Sequence, residues 1–98
     1  MAEQISSEQK IFIIAQVKKI FPNAELLVYG SRIKGSAYQY SDLDIALKDK
    51  QPLDWAALSE LKEIFANSDI PFKIEPIDFL QVSTDFQKII EHSCVKWI

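Results

Sequence analysis

The sequence predicts an α+β domain, two-layered: a small mixed β-sheet with helices packed on one face. Three observations predict it. Short apolar runs bounded by glycine or polar residues occur at 26–29, 42–47 and 72–79, the lengths of strands rather than helices. Apolar residues recur at helical spacing in the segments around them. The resulting order is helix, strand, short helix, strand, helix, strand, helix, which a few-stranded sheet with helices against it accommodates.

The first helix is announced by Ser6-x-x-Gln9, the pattern of a capping box, and then by Ile13, Ile14, Val17, Ile20 and Phe21. Pro22-Asn23 ends it. Leu26 to Tyr29 is a short apolar run stopped by Gly30, as in a buried strand. Ser31 to Ala37 suits a turn or a short helix. Asp42 to Leu47 begins by alternating polar and apolar residues, as a second strand does. Pro52 opens the next helix, Asp54 caps it, and Leu58, Leu61 and Phe65 line one side of it. Asn67 to Pro71 is a breaker cluster. Phe72 to Phe79 reads as the third strand; Pro76 lacks the N–H that a ladder needs, so an edge position or a bulge is expected. Ser83 or Thr84 caps a last helix containing Phe86, Ile89 and Ile90.

The 98 residues fit one domain spanning 1–98. A chain of this size hides roughly 60–65% of its unfolded surface, enough for one core and not two. With 11 basic and 14 acidic residues the net charge is -3, so nothing draws the chain generally to nucleic acid or to an anionic membrane. Cys94 is the only cysteine, which rules out an internal disulfide and fits a reducing compartment. No signal peptide and no membrane-length apolar run is present, so a soluble, cytoplasmic protein is expected.

The segment from Gly30 to Asp44 carries the chemistry. Asp42 and Asp44 are two apart, a spacing that turns both carboxylates to one side of a strand. Two such groups repel unless a cation lies between them, and hard oxygen donors suit Mg²⁺, which completes its shell with water and substrate phosphates. Gly30 lets backbone approach a phosphate closely, and the amides after it, with the Ser31 hydroxyl, face that phosphate. Arg32 and Lys34 add positive charge, and Ser41 either ends a turn or contacts phosphate. A phosphate cradle beside a metal site is what phosphoryl or nucleotidyl transfer needs. A third carboxylate is offered by Glu75 or Asp78; three apart on a strand, they face opposite sides, so only one can join the pair.

Gly-Ser, ten intervening residues (Arg32 to Ser41) and Asp-x-Asp resemble the DNA polymerase beta-like nucleotidyltransferase superfamily. Within it, the chain looks like the minimal nucleotidyltransferases, stand-alone catalytic palms often encoded beside a helical HEPN protein. The resemblance covers nearly the whole chain and includes Ile70 to Phe79, where Glu75 stands at a position the family usually gives to aspartate. It implies that Asp42, Asp44 and Glu75 hold Mg²⁺ and carry catalysis, and that Gly30, Ser31, Arg32, Lys34 and Ser41 bind the nucleotide. It also implies ATP as donor and a HEPN-type toxin as acceptor, often at a tyrosine, with this chain as antitoxin in a homo- or hetero-oligomer. The palm uses up the chain, so the acceptor side is expected from a partner. Two alternatives are a small-molecule, aminoglycoside-like nucleotidyltransferase and a non-catalytic module that neutralises a helical partner by contact alone.

Other residues read as structural. Asp78 suits a cap or loop anchor, His92 a helix surface and Cys94 a small buried apolar site. Trp55 and Trp97 suit core or interface, and Tyr38 and Tyr40 an exposed turn.

Overall fold

The computed structural model describes residues 5–30 and 42–98. Helix α1 spans Ser7–Ile20, strand β1 Glu25–Tyr29 and strand β2 Leu43–Lys48. Helix α2 spans Trp55–Ala66, strand β3 Ile74–Asp78, a single 3-10 turn Phe79–Gln81, helix α3 Thr84–Ser93 and strand β4 Val95–Lys96. The strands form one four-stranded sheet in the order β3-β2-β1-β4. β1 runs antiparallel to β2 and β4, whereas β2 and β3 are parallel. A parallel pair needs a crossover rather than a tight turn, and α2 supplies it.

Local chemistry fixes the helix starts. The Ser6 hydroxyl accepts from the Gln9 backbone N–H (3.1 Å) while the Ser6 N–H donates to the Gln9 side chain (3.0 Å), the expected capping box. Asp54 accepts from the Ala57 N–H, and Ser83 rather than Thr84 caps α3 through the Phe86 N–H. β3 is an edge strand, as Pro76 requires.

The pleat sorts the strand residues into two cores. Leu26, Val28, Leu43, Ile45, Leu47 and Ile74 pack with Ile13 and Val17 of α1 and Leu61 and Phe65 of α2. The alternate residues Leu27, Tyr29 and Ala46 pack with Phe79 and with Ile90 of α3. The small mixed sheet is as expected, and α1 and α2 share one side of it. Helix α3 departs from the single-sided layout: Ile90 and Phe86 have their apolar partners on the other side of the sheet. Strand β4 was not foreseen; two residues carry no periodicity to read, and only pairing with Leu27 and Val28 makes them a strand.

Trp97 packs against the larger core with the Lys10 ammonium 5.1 Å from its ring centre, but Trp55 does not join a core; it is 80% exposed at the first residue of α2. Cys94 is half-buried against the smaller core and His92 is exposed. Among the described residues no helix is long and apolar enough to cross a membrane.

Candidate nucleotidyltransferase site

Register builds the site. Tyr29 on β1 pairs with Asp44 on β2, and Asp44 pairs with Glu75 on β3. Directly paired residues share a side of the sheet, so a tyrosine and two carboxylates form a row across three strands. Asp42 is exposed just before β2. The row lies on the same side as the smaller core, one pleat beyond Leu27, Ala46 and Ile77.

Gly30 closes the row. Its φ is +88°, a conformation side chains rarely adopt. A β-carbon there would stand 2.5 Å from Asp44 Oδ2. The close approach that this glycine permits is therefore, in part, to the Asp44 carboxylate itself. Ser31, Arg32, Lys34, Ser41, Tyr38 and Tyr40 lie outside the described residues.

Glu75 and Asp78 separate as the strand pleat dictates. Asp78 is buried, accepting from the Leu53 N–H with Oδ2 (2.8 Å) and from the Leu80 N–H with Oδ1 (3.1 Å). It anchors the approach to α2 and caps the 3-10 turn, and it belongs to no acidic row. Glu75 is half-buried, and its Oε1 lies 2.5 Å from Lys73 Nζ. Sequence reasoning passed over both Lys73 and Tyr29. The signal for Lys73 was its spacing of two from Glu75, which puts both side chains on one side of an edge strand. Tyr29 had no signal beyond closing the first apolar run; the pairing with Asp44 is what brings it to the row.

The row behaves as one electrostatic unit. Burial raises the Asp44 carboxyl above its usual range, and the negative charges of Asp42 and then Glu75 raise it further. The Tyr29 phenol is pushed up to about 12, chiefly by burial, then by Asp44 and Glu75. The Lys73 ammonium is raised by its hydrogen bond to Glu75, then by the charges of Glu75 and Asp42. Among the described residues no three His, Cys, Asp or Glu side chains are arranged to hold a metal ion. Asp44 and Glu75 are neighbours in register, but the Glu75 carboxylate is turned onto Lys73.

No protein-family model matches the chain. Over 86 residues it is 38% identical to the "Probable protein adenylyltransferase MntA" of Haemophilus influenzae, an overlap of 88% of this chain and 75% of that one. The chain belongs to the MntA family. It is a minimal nucleotidyltransferase. A crystal structure of a toxin–antitoxin with AMP-PNP matches with a TM-score of 0.77 at 25% identity, covering 93% of this chain and 72% of that one. A tri-AMPylated HEPN toxin from Shewanella oneidensis in complex with its MNT antitoxin matches at 0.68 and 23% identity, covering 89% and 66%; at that identity the likeness is one of fold. The family fold is thus the nucleotidyltransferase palm expected from Gly30-Ser31 and Asp42-x-Asp44.

Proposed function

We propose that this chain is a cytoplasmic antitoxin, one domain over 1–98, that transfers AMP from ATP to a hydroxyl of a HEPN-type toxin. The 38% identity to a protein adenylyltransferase carries the reading. The row of Asp44 and Glu75 beside a glycine in left-handed backbone supports it. The neighbours that contain AMP-PNP and an AMPylated HEPN toxin agree with the donor and the acceptor.

The donor set fits Mg²⁺ chemically. Beyond burial, which raises the Asp44 pKa most, the charges of Asp42 and then Glu75 raise it further, so three hard-oxygen donors share one patch of negative charge. Asp42, Asp44 and Glu75 are the residues that would hold the ion, which when bound neutralises the triphosphate and the leaving pyrophosphate. Gly30, with Ser31, Arg32, Lys34 and Ser41, would bind the phosphates. The acceptor oxygen forms a bond to the α-phosphorus, the bond from that phosphorus to the bridging oxygen breaks, and pyrophosphate departs with the electron pair. Glu75, at the exposed edge of the row, takes the acceptor's proton and passes it to solvent.

The Lys73–Glu75 pair favours a second reading, in which the chain neutralises its partner by contact alone. One experiment separates the two. The protein is mixed with α-labelled ATP, Mg²⁺ and the co-expressed helical partner. Transfer of label by wild type and its loss in Asp42→Ala support catalysis. Equal silencing of the partner by wild type and Asp42→Ala, with no label transferred, overturns it.

A further inference from the structure

Trp55 is 80% exposed at the start of α2, and the proposed chemistry gives it no part. Tryptophan is enriched at protein interfaces. This one stands at the end of a furrow that α2 and the edge strand β3 form along the side of the sheet. The furrow is made of two hollows. One, of about 440 Å³, is lined by Trp55, Leu58 and Val82. The other, of about 480 Å³, is lined by Phe65 and reaches Glu75, the exposed end of the acidic row. Lys62 lines both, so it stands where they meet. Among the described residues Lys62 has no ion-pair partner.

The edge itself resists an added strand. The Lys73 carbonyl accepts from the Leu43 N–H, so by the period of two the backbone of Glu75 and Ile77 turns to β2 and that of Pro76 turns to the open edge. There Pro76 has no N–H for a strand to use. An occupant must be held by its side chains, as a helix in a groove is. The five residues of β3 extend about 16 Å, the length of about three helical turns. A cation between two apolar hollows complements a carboxylate flanked by apolar side chains. A second copy of this chain, docked through the same surface about a twofold axis, would set Lys62 against Lys62. We propose that the furrow between α2 and β3 seats an amphipathic helix of the partner toxin, with apolar side chains in the two hollows and a carboxylate on Lys62. The proposal rests on the reading of this chain as an enzyme that acts on such a partner. A helix lying there ends beside Glu75, which brings the partner's neighbouring residues to the acidic row. Trp55 and Lys62 are docking residues, apart from the bonds that form and break.

The test is calorimetric titration of the full chain with the co-expressed helical partner, alongside label transfer from α-labelled ATP. Trp55→Ala and Lys62→Glu are each expected to weaken binding about tenfold or more, as loss of an aromatic anchor or reversal of a facing charge does. Both residues are exposed, so both variants should melt near wild type. In label transfer the KM for the partner should rise by a similar factor while kcat holds, because docking is separate from the chemistry. Ile89→Ala and Lys88→Glu, both exposed on α3, are the controls for apolar surface and for net charge, and should bind as wild type. Equal weakening by the controls overturns the proposal. Wild-type affinity in both Trp55→Ala and Lys62→Glu also overturns it; if these variants still label the partner, the enzymatic reading stands and only the docking site is lost. If they lose binding while wild type binds but transfers no label, the docking site stands and the enzymatic reading falls. A dimer of the free chain that Trp55→Ala dissolves makes a second copy the occupant and overturns the proposal too.

Discussion

The two sides of β2 are made of alternate residues of one hexapeptide and have opposite fates. Leu43, Ile45 and Leu47 are fully buried beneath α1 and α2. Asp44 and Ala46 face the other way, where Ala46 is covered by the smaller core and Asp44 is only half-buried. Two helices seal one side, and among the described residues the ten-residue α3 covers part of the other. The acidic row lies on that second side, where Asp44 and Glu75 stay half-buried. A sheet can thus be anchored by one side and keep part of the other free for charge.

Substitutions test this contrast, beginning with the largest expected effect on stability. Leu61→Ala, on the sealed side, should lower unfolding free energy by about 2–5 kcal/mol in urea titrations, because a fully buried side chain leaves a cavity. Asp78→Ala strips the Leu53 and Leu80 N–H groups of a buried carboxylate, for a loss of about 2–3 kcal/mol. Glu75→Gln, three residues away on the free side, should change stability by no more than about 1 kcal/mol, as expected of an exposed pair, yet abolish AMP transfer. A stability cost of Glu75→Gln equal to that of Asp78→Ala would erase the distinction.

Gly30→Ala is expected to cost about 1–3 kcal/mol, from positive φ and from the collision with Asp44 Oδ2. Adding Asp44→Ala should recover part of that loss, since it removes the collision but not the backbone strain. Strict additivity of the two changes in a double-mutant cycle would place the cost in the backbone alone.

Asp44→Asn has the smallest effect on stability and the opposite sign. The folded pKa of Asp44 is raised above its ordinary 3.8, so the folded state holds the proton more tightly than the unfolded chain. Its ionisation therefore costs stability, a cost absent below pH 3.8 and complete once pH has passed the folded value. Metal-free Asp44→Asn should melt slightly above wild type at pH 7, and the gap should close below pH 3.8. Mg²⁺ should raise the melting temperature of wild type and leave that of Asp44→Asn unchanged. An Asp44→Asn protein that melts below wild type at pH 7 would mean that the carboxylate is stabilised where it sits.

Much of the fold was legible because its signals are local. A serine three residues before a glutamine and an aspartate before α2 act through backbone hydrogen bonds within a few residues, and the proline in β3 acts through the N–H it lacks. The parting of Glu75 from Asp78 was legible too, because a strand has period two. The motif Gly30-Ser31 with Asp42 and Asp44 pointed to the family for the same reason: its spacing is a property of the chain.

Other features depend on partners far away in sequence. Strand β4 exists through β1, and α3 found the second side of the sheet because Leu27, Tyr29 and Ala46 left an apolar patch there for Ile90 and Phe86. The place of Trp55 outside both cores was likewise settled by packing. The sequence alone supplied the acids, the glycine and the order of the first three strands along the chain. Only the tertiary structure set Tyr29, Asp44 and Glu75 side by side. The first depends on spacing along the chain, the second on register between strands.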